Sequence, residues 1–208
     1  MQCSLCGSET KLYSEILDKT YFKCTHCKGI LLDPFHYLST EAEKDRYQLH
    51  VNDITDPGYQ NFVSPIVNAV SQKYNAHHKG LDFGSGSGPV ISYLLKKNGY
   101  NITTYDPFFN PNNTALKSTY DYIVCCEVIE HFYHPLREFE LLNALLLETG
   151  TLFCKTSIYH PSIDFDAWWY KNDPTHVFFY SPDTLQWIKE NFKFKTLEIS
   201  DKLIAFSK

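Results

Sequence analysis

The chain has 208 residues, 43% of them hydrophobic and 16% aromatic, which is ample core for one full domain with a small appendage and excludes a disordered chain. Its net charge of -5, from 24 acidic and 19 basic residues with no Lys/Arg cluster, argues against a surface built to wrap nucleic acid. No apolar run reaches the roughly 18 residues needed to cross a bilayer, and Met1-Gln2-Cys3 lacks a charged head before an apolar stretch, so a soluble, cytoplasmic protein is expected.

Residues 1–35 read as a zinc ribbon. Cys3-Ser4-Leu5-Cys6 and Cys24-Thr25-His26-Cys27 are two C-x2-C pairs separated by 17 residues, the spacing of a four-thiolate zinc site. Gly7 and Gly29 follow the pairs closely, where turns let backbone N–H groups approach the sulfurs. Between the pairs, residues 11–13 and 20–23 have the composition of a hairpin. A segment this short cannot bury enough apolar surface to fold alone, so a structural Zn2+ on Cys3, Cys6, Cys24 and Cys27 is expected to supply the difference. With four thiolates no coordination position stays open for catalysis; His26 reads as a surface residue, and Cys125, Cys126 and Cys154, in apolar stretches, read as core.

Residues 36–78 read as a helical connection or lid. Thr40 with Glu43 matches a capping box opening a helix toward Leu49, Asp56-Pro57-Gly58 is a turn, and Ser64-Pro65 opens a second helix with Ile66, Val67 and Val70 on one face. Residues 47–53 and 56–59 combine polar and aromatic side chains. They suit either a lid that brings Tyr47 or Tyr59 over a ligand or a plain surface connection.

From residue 79 the period changes. Lys79-Gly80-Leu81-Asp82-Phe83 is a short strand, Gly84-Ser85-Gly86-Ser87-Gly88 a glycine-rich loop, and Pro89 opens a helix with Val90, Ile91, Leu94 and Leu95 on one face. Bare main chain at the end of a strand lets a ligand lie directly on the backbone. The dinucleotide fingerprint G-x-G-x-x-G fails, because Pro89 stands where its third glycine belongs. A second strand, residues 101–105, ends in Asp106, 18 residues after Gly88, placed to accept hydrogen bonds from both hydroxyls of a ribose. The competing reading is a glycine-rich turn followed by an ordinary Asp-Pro turn.

On Leu81-Asp82-Phe83-Gly84-Ser85-Gly86-Ser87-Gly88, on Asp106, and on Tyr120-Asp121-Tyr122-Ile123-Val124-Cys125-Cys126-Glu127-Val128-Ile129-Glu130-His131, the sequence resembles the class I S-adenosylmethionine-dependent methyltransferases over about residues 60–208. With the ribbon in front, it is similar to small bacterial methyltransferases that carry such a module. The resemblance implies an α/β, Rossmann-like fold: a mostly parallel seven-stranded sheet with a C-terminal antiparallel hairpin and helices on both faces, preceded by the ribbon and occupying 79–208. It implies S-adenosylmethionine held by Asp82, Phe83, Gly84, Ser85, Gly86 and Gly88, by Asp106, Pro107 and Phe108, by Glu127, Val128 and Ile129, and under Tyr47 and Tyr59. The later elements keep the family's order: a helix from Pro135, a fifth strand at 150–154, a helix capped by Ser181, and terminal strands at 195–200 and 203–207. Only 14 residues separate Asp106 from Asp121, too few for the usual helix and full strand, so the residue that binds the adenine amino group is not placed; Phe108 offers an apolar face instead.

Methyl transfer from a sulfonium needs alignment and exclusion of water, and a base only where the acceptor is protonated. His176, in the aromatic segment 168–180, is the first candidate for that base and His131 the second, with His134 and His160 behind them. Of the adjacent Trp168 and Trp169, one is expected to face a pocket or an interface. A small-molecule or carrier-linked acceptor is the first reading. An RNA or protein methyltransferase that uses the ribbon to dock its substrate is the second, and a non-catalytic cofactor-binding scaffold with the ribbon as its protein contact is the third.

Overall fold

The computed structural model describes residues 1–49 and 52–208. Strands β1 (Thr10–Ile16) and β2 (Lys19–Cys24) form the expected hairpin, and β3 (Ile30–Leu32) pairs antiparallel with β2. Gly7 takes a left-handed φ of 72°, but in the second knuckle that conformation falls on Lys28, at φ 64°, and not on Gly29. Gly29 answers to a different demand: a Cβ there would lie 2.4 Å from Cζ of Phe178.

Helix α1 (Thr40–Gln48) is capped by Ser39, whose hydroxyl accepts the Ala42 N–H, so the cap sits one residue before the expected pair of Thr40 and Glu43. Helix α2 (Pro57–Lys73) also starts earlier than expected. The Asp56 carboxylate accepts the N–H groups of Gly58 and Tyr59, which makes Asp56-Pro57 the N-cap and first helical residue and leaves Pro65 inside the helix. Pro65 cannot donate to the Asn61 carbonyl; the Ser64 hydroxyl donates to it instead, at 2.8 Å. Ser-Pro, read as a helix start, is here a repaired helix interior.

The remaining elements are β4 (Lys79–Phe83), α3 (Val90–Lys97), β5 (Asn101–Tyr105), β6 (Tyr120–Cys126), α4 (Pro135–Leu145), β7 (Leu146–Lys155), β8 (Phe178–Phe179), α5 (Pro182–Asn191), β9 (Thr196–Ser200) and β10 (Leu203–Ser207). They build a six-stranded sheet of order β5-β4-β6-β7-β10-β9, parallel through β7 and antiparallel across β10 and β9. The α/β fold and the terminal hairpin match the expectation, but the sheet has six strands among the described residues, one fewer than the seven implied. Between β5 and β6 the chain makes only an antiparallel bridge from Asp106 to Asn110 and a short 3-10 turn, Ala115–Lys117, too little chain for a helix and another strand.

Side chains alternate between two cores, as the pleat requires. Tyr122, Val124 and Phe153 face α2 and α3 with Val63, Ile66, Val70, Ile91 and Leu95. Ile123, Cys125, Leu152 and Cys154 face Phe139 and Leu142 of α4 and Leu185 and Ile188 of α5. Each fully buried aliphatic or Phe side chain contributes about 1.5–3 kcal/mol. Cys125 and Cys154 are core, as expected. No helix among the described residues is long and apolar enough to cross a membrane.

The ribbon continues past its expected end at residue 35. Strand β3 pairs antiparallel with β8, so one sheet of order β1-β2-β3-β8 includes a strand from the far end of the chain. One face of that sheet packs Tyr21, Ile30 and Leu32 against Tyr159, Phe165, Trp168, Tyr170 and Phe179. Its other side, with Leu5, Leu31 and Phe178, joins the core beneath α4 and α5. Gly29→Ala should therefore push Phe178 out of place and lower stability by about 1–3 kcal/mol in chemical denaturation, although alanine is the better strand and helix former; an unchanged midpoint would contradict this close docking.

Candidate active site

The loop after β4 bends because Gly84 and Gly86 take φ of 77° and 65°, conformations a side chain resists. A Cβ on Gly84 would also meet Val128 at 2.5 Å, and one on Gly88 would lie 1.8 Å from the backbone oxygen of Asn52. The three glycines thus serve two turns and two close approaches. The N–H groups of Gly84 and Ser85 donate to the Tyr105 carbonyl, which ties the loop to the end of β5.

Asp106 closes the arrangement. Its Oδ2 accepts the Gly86 N–H at 2.9 Å, and its Oδ1 accepts those of Phe108 and Phe109 at 2.9 and 3.0 Å. The glycine loop and the carboxylate, separate in sequence, meet directly. Since a carboxylate offers about four lone-pair positions, three backbone donors leave room for about one more, short of the two ribose hydroxyls expected.

Asp82 is buried at the floor, where it accepts the Ser92 hydroxyl at 2.7 Å. Burial pushes its carboxyl up to about 6. A raised folded-state value favours the protonated form, so this group's stabilising contribution is full below about pH 4 and is lost as pH rises through about 6. Asp82→Asn should remove that loss, leaving the ligand-free variant about 1–3 kcal/mol more stable than the native protein at pH 7 and equal to it near pH 4. Denaturation curves from pH 4 to 8 that stay parallel would contradict it.

After β6 the chain turns at Glu127, whose φ of 52° is unusual for a non-glycine residue. Glu127 and the fully buried Glu130 share the Tyr170 hydroxyl, which lies 3.0 Å from Glu127 Oε2, in close contact with Glu130 Oε1, and 2.9 Å from the Thr156 hydroxyl. Lys155 stands 3.6 Å from Glu127 Oε1. Burial pushes both carboxyls up to about 7. His131 Nδ1 donates to the Thr175 carbonyl at 3.0 Å and His176 Nδ1 to the Tyr170 carbonyl at 2.7 Å, and the two rings lie 4.8 Å apart. Burial, then His131, pushes His176 down to about 4, so its ring is neutral at pH 7 and a weak proton acceptor.

These parts line one cavity of about 890 Å3 at the carboxyl ends of β4, β5 and β6. Asp82, Phe83, Gly84, Ser85, Gly86, Gly88, Asp106, Pro107, Phe108, Glu127, Val128, His131, His176, Tyr47 and Tyr59 all stand on its wall. Ile129 does not: it is fully buried beneath, and its carbonyl accepts the Tyr180 hydroxyl. His134 reaches the wall from an exposed position, whereas His160 is exposed elsewhere. Tyr47 packs on Phe108 and on the edge of His131, so α1 covers the cavity. Of the expected lid, His50 and Val51 lie outside the described residues. Trp168 is buried and Trp169, 64% exposed, lines the cavity mouth. Sequence reasoning missed Arg46, which pairs with Asp173 at 2.7 Å across the rim, and Tyr170 between the two glutamates; single residues in an aromatic stretch carry no spacing signal.

At the ribbon, the four Sγ atoms of Cys3, Cys6, Cys24 and Cys27 lie within 4.8 Å of one another, with Cys3–Cys27 at 3.6 Å and Cys6–Cys24 at 3.3 Å. A tetrahedron with metal–sulfur bonds of about 2.3 Å has edges near 3.8 Å. The donor set fits zinc, and the His26 N–H, 3.4 Å from Cys24 Sγ, supports a thiolate there.

The sequence pattern of a methyltransferase domain matches residues 55–199. The chain belongs to that methyltransferase domain family. Solved structures agree on the fold of the methyltransferase. A SAM-dependent methyltransferase from Archaeoglobus fulgidus superimposes at TM-score 0.53 and 21% identity, over 67% of this chain and 71% of that one. The Burkholderia thailandensis 1,6-didemethyltoxoflavin-N1-methyltransferase, with 1,6-didemethyltoxoflavin and S-adenosylhomocysteine bound, does so at TM-score 0.55 and 13% identity, over 95% and 99%. Human N-acetylserotonin methyltransferase, in complex with SAM, gives TM-score 0.54 and 12% identity, over 81% and 57%. No curated protein sequence matches the chain.

Proposed function

We propose that this methyltransferase takes its methyl group from S-adenosylmethionine and passes it to a small-molecule acceptor held in the same cavity, with a structural zinc in the ribbon. The observation that carries the reading is the meeting of the glycine loop and Asp106 on one cavity wall, joined by the 2.9 Å bond from Gly86 to Asp106. When bound, the cofactor supplies a methyl group on a cationic sulfur with a neutral thioether as leaving group. The backbone of residues 84–86 holds the methionine portion, Asp106 a ribose hydroxyl, and Phe108 a face of the adenine. Asp82 and Glu127 place negative charge toward the cationic cofactor. Tyr47 and Tyr59 exclude water above it.

A cavity of about 890 Å3 leaves space beside a nucleoside for a compact acceptor, bounded by Trp169, Asp173 and His176. The net charge of -5 and the several carboxylates on that wall favour such an acceptor over RNA. Four thiolates around one ion leave it no catalytic position, so the zinc serves structure alone.

Calorimetric titration with S-adenosylhomocysteine and with NAD tests the cofactor, with the first binding and the second inert as the expected result. Binding of NAD alone would overturn the reading. Mass shifts across a metabolite panel incubated with S-adenosylmethionine then test the acceptor class; methylation confined to RNA or to protein would replace it.

A further inference from the structure

We propose that Glu130, His131 and His176, with Glu127 beside them, form a second metal site that holds a divalent first-row cation at the cavity wall, with positions open for an oxygen donor of the methyl acceptor. One ligand atom from each of Glu130, His131 and His176 lies within 4.8 Å of the others. These residues reach one point from two distant places: the turn after β6 and the segment before β8.

Three further observations support a cation here. Both imidazoles donate Nδ1–H to a backbone carbonyl, His131 to Thr175 and His176 to Tyr170. That bond fixes the tautomer with the lone pair on Nε2 and sets the ring orientation, the arrangement in which proteins present histidine to metals. Glu130 is completely buried. Its Oε1 takes the Tyr170 hydroxyl, while Oε2 has no hydrogen-bond partner. Among the described residues no lysine or arginine pairs with Glu130, since Lys155 pairs with Glu127. A buried carboxylate with one unpartnered oxygen calls for a cation, and the ligands beside it are the type that binds one.

The donor set separates this site from the ribbon. Two imidazoles and one or two carboxylates suit Mn2+, Fe2+ or Zn2+ with open positions, whereas four thiolates select zinc and close it. Glu127, His131 and His176 line the cavity, so the open positions face its interior. A hydroxyl bound there loses its proton to water more readily than a free one, which makes an alcohol or phenol, best with a second oxygen alongside, the acceptor class. This acceptor class rests on the methyl-transfer reading; the cation site does not.

The test starts from protein carrying one zinc equivalent and titrates it with Mn2+, read by the loss of the free-ion electron paramagnetic resonance signal. One further equivalent should bind, and His176→Asn and Glu130→Gln should each weaken it at least tenfold with the circular dichroism spectrum and melting temperature retained. If Glu130→Gln does not fold, His131→Asn reads the same site. Failure of Mn2+, Fe2+ and Zn2+ alike to bind beyond the first zinc equivalent would overturn the proposal, as would binding that the variants leave intact. Parallel titration with S-adenosylhomocysteine keeps the two ideas apart: nucleoside binding without cation uptake removes only the metal site, and cation uptake without nucleoside binding removes only the cofactor.

Discussion

Cys27→Ser should release the ribbon zinc and cost the protein at least about 3–5 kcal/mol, enough to unfold the ribbon at ordinary temperature. Cys27 is buried, and its sulfur stands 3.6 Å from that of Cys3, so serine removes one of four donors from an interior site and leaves three thiolates crowded without a complete partner. The damage should spread. Cys3, Cys24 and Cys27 belong to the same core as Phe139, Leu185 and Phe178, and β3 is the hydrogen-bonded neighbour of β8. The Leu32 N–H donates to Val177 O, and the Val177 N–H in turn donates to Glu130 O. Losing the ribbon therefore loosens the segment that carries His176 next to Glu130. Metal analysis with a thermal melt checks this, and cofactor affinity measured on the same sample shows how far the disturbance travels. A variant that keeps its zinc, or melts with the native protein, would remove the four-thiolate site from the account.

Asp106→Ala should weaken S-adenosylhomocysteine binding by about 1.5–3 kcal/mol, roughly ten- to a hundredfold. Two losses add together: the charged acceptor for the ribose, and the three backbone N–H groups that the carboxylate now satisfies. Asp106→Asn separates them. Its amide oxygen can still accept from Phe108 and Phe109, while its NH2 group faces the Gly86 N–H and cannot accept from it. The asparagine variant should thus retain more of the fold and still bind poorly. Calorimetry settles the point, and an unchanged affinity in both variants would place the ribose elsewhere.

Much of this fold was legible because strands, glycines and prolines leave local marks. The alternation at Tyr122-Ile123-Val124-Cys125, the loop from Gly84 to Gly88 and the cap at Ser181 each follow from chemistry within a few residues, and each is where the sequence places it. Misreadings arose where two local signals competed. Asp56-Pro57 and Ser64-Pro65 both look like helix starts, and only the hydroxyl bond to Asn61 distinguishes an interior proline from a first one. The residue before a proline favours extended backbone, which made the later start the more natural choice. Ile129 was assigned to the cavity because its neighbours line it, but a 3-10 turn, Ile129–His131, rotates it inward.

The candidate site divides the same way. Asp106 was found because a carboxylate at a strand tip after a glycine loop has a recurrent spacing, and the cysteine pairs were found for the same reason. Tyr170, Arg46 and the pairing of Glu130 with His176 depend on contacts between segments 40 to 127 residues apart, which no local spacing records. Histidines 131 and 176 were noticed as titrating groups. Burial and the carbonyls behind their rings, visible only in three dimensions, favour them as electron-pair donors over proton carriers.

The pairing of Ile30 and Leu31 with Phe179 and Phe178 also constrains how the chain is made. The ribosome releases the N-terminal knuckles long before residue 179 emerges, so the open rim of β3, with Ile30, Leu31 and Leu32, must wait through most of synthesis for its neighbour. During that interval it is a sticky template for any other extended segment. Early metal capture by the nascent knuckles would hold that rim in one shape until its own strand arrives.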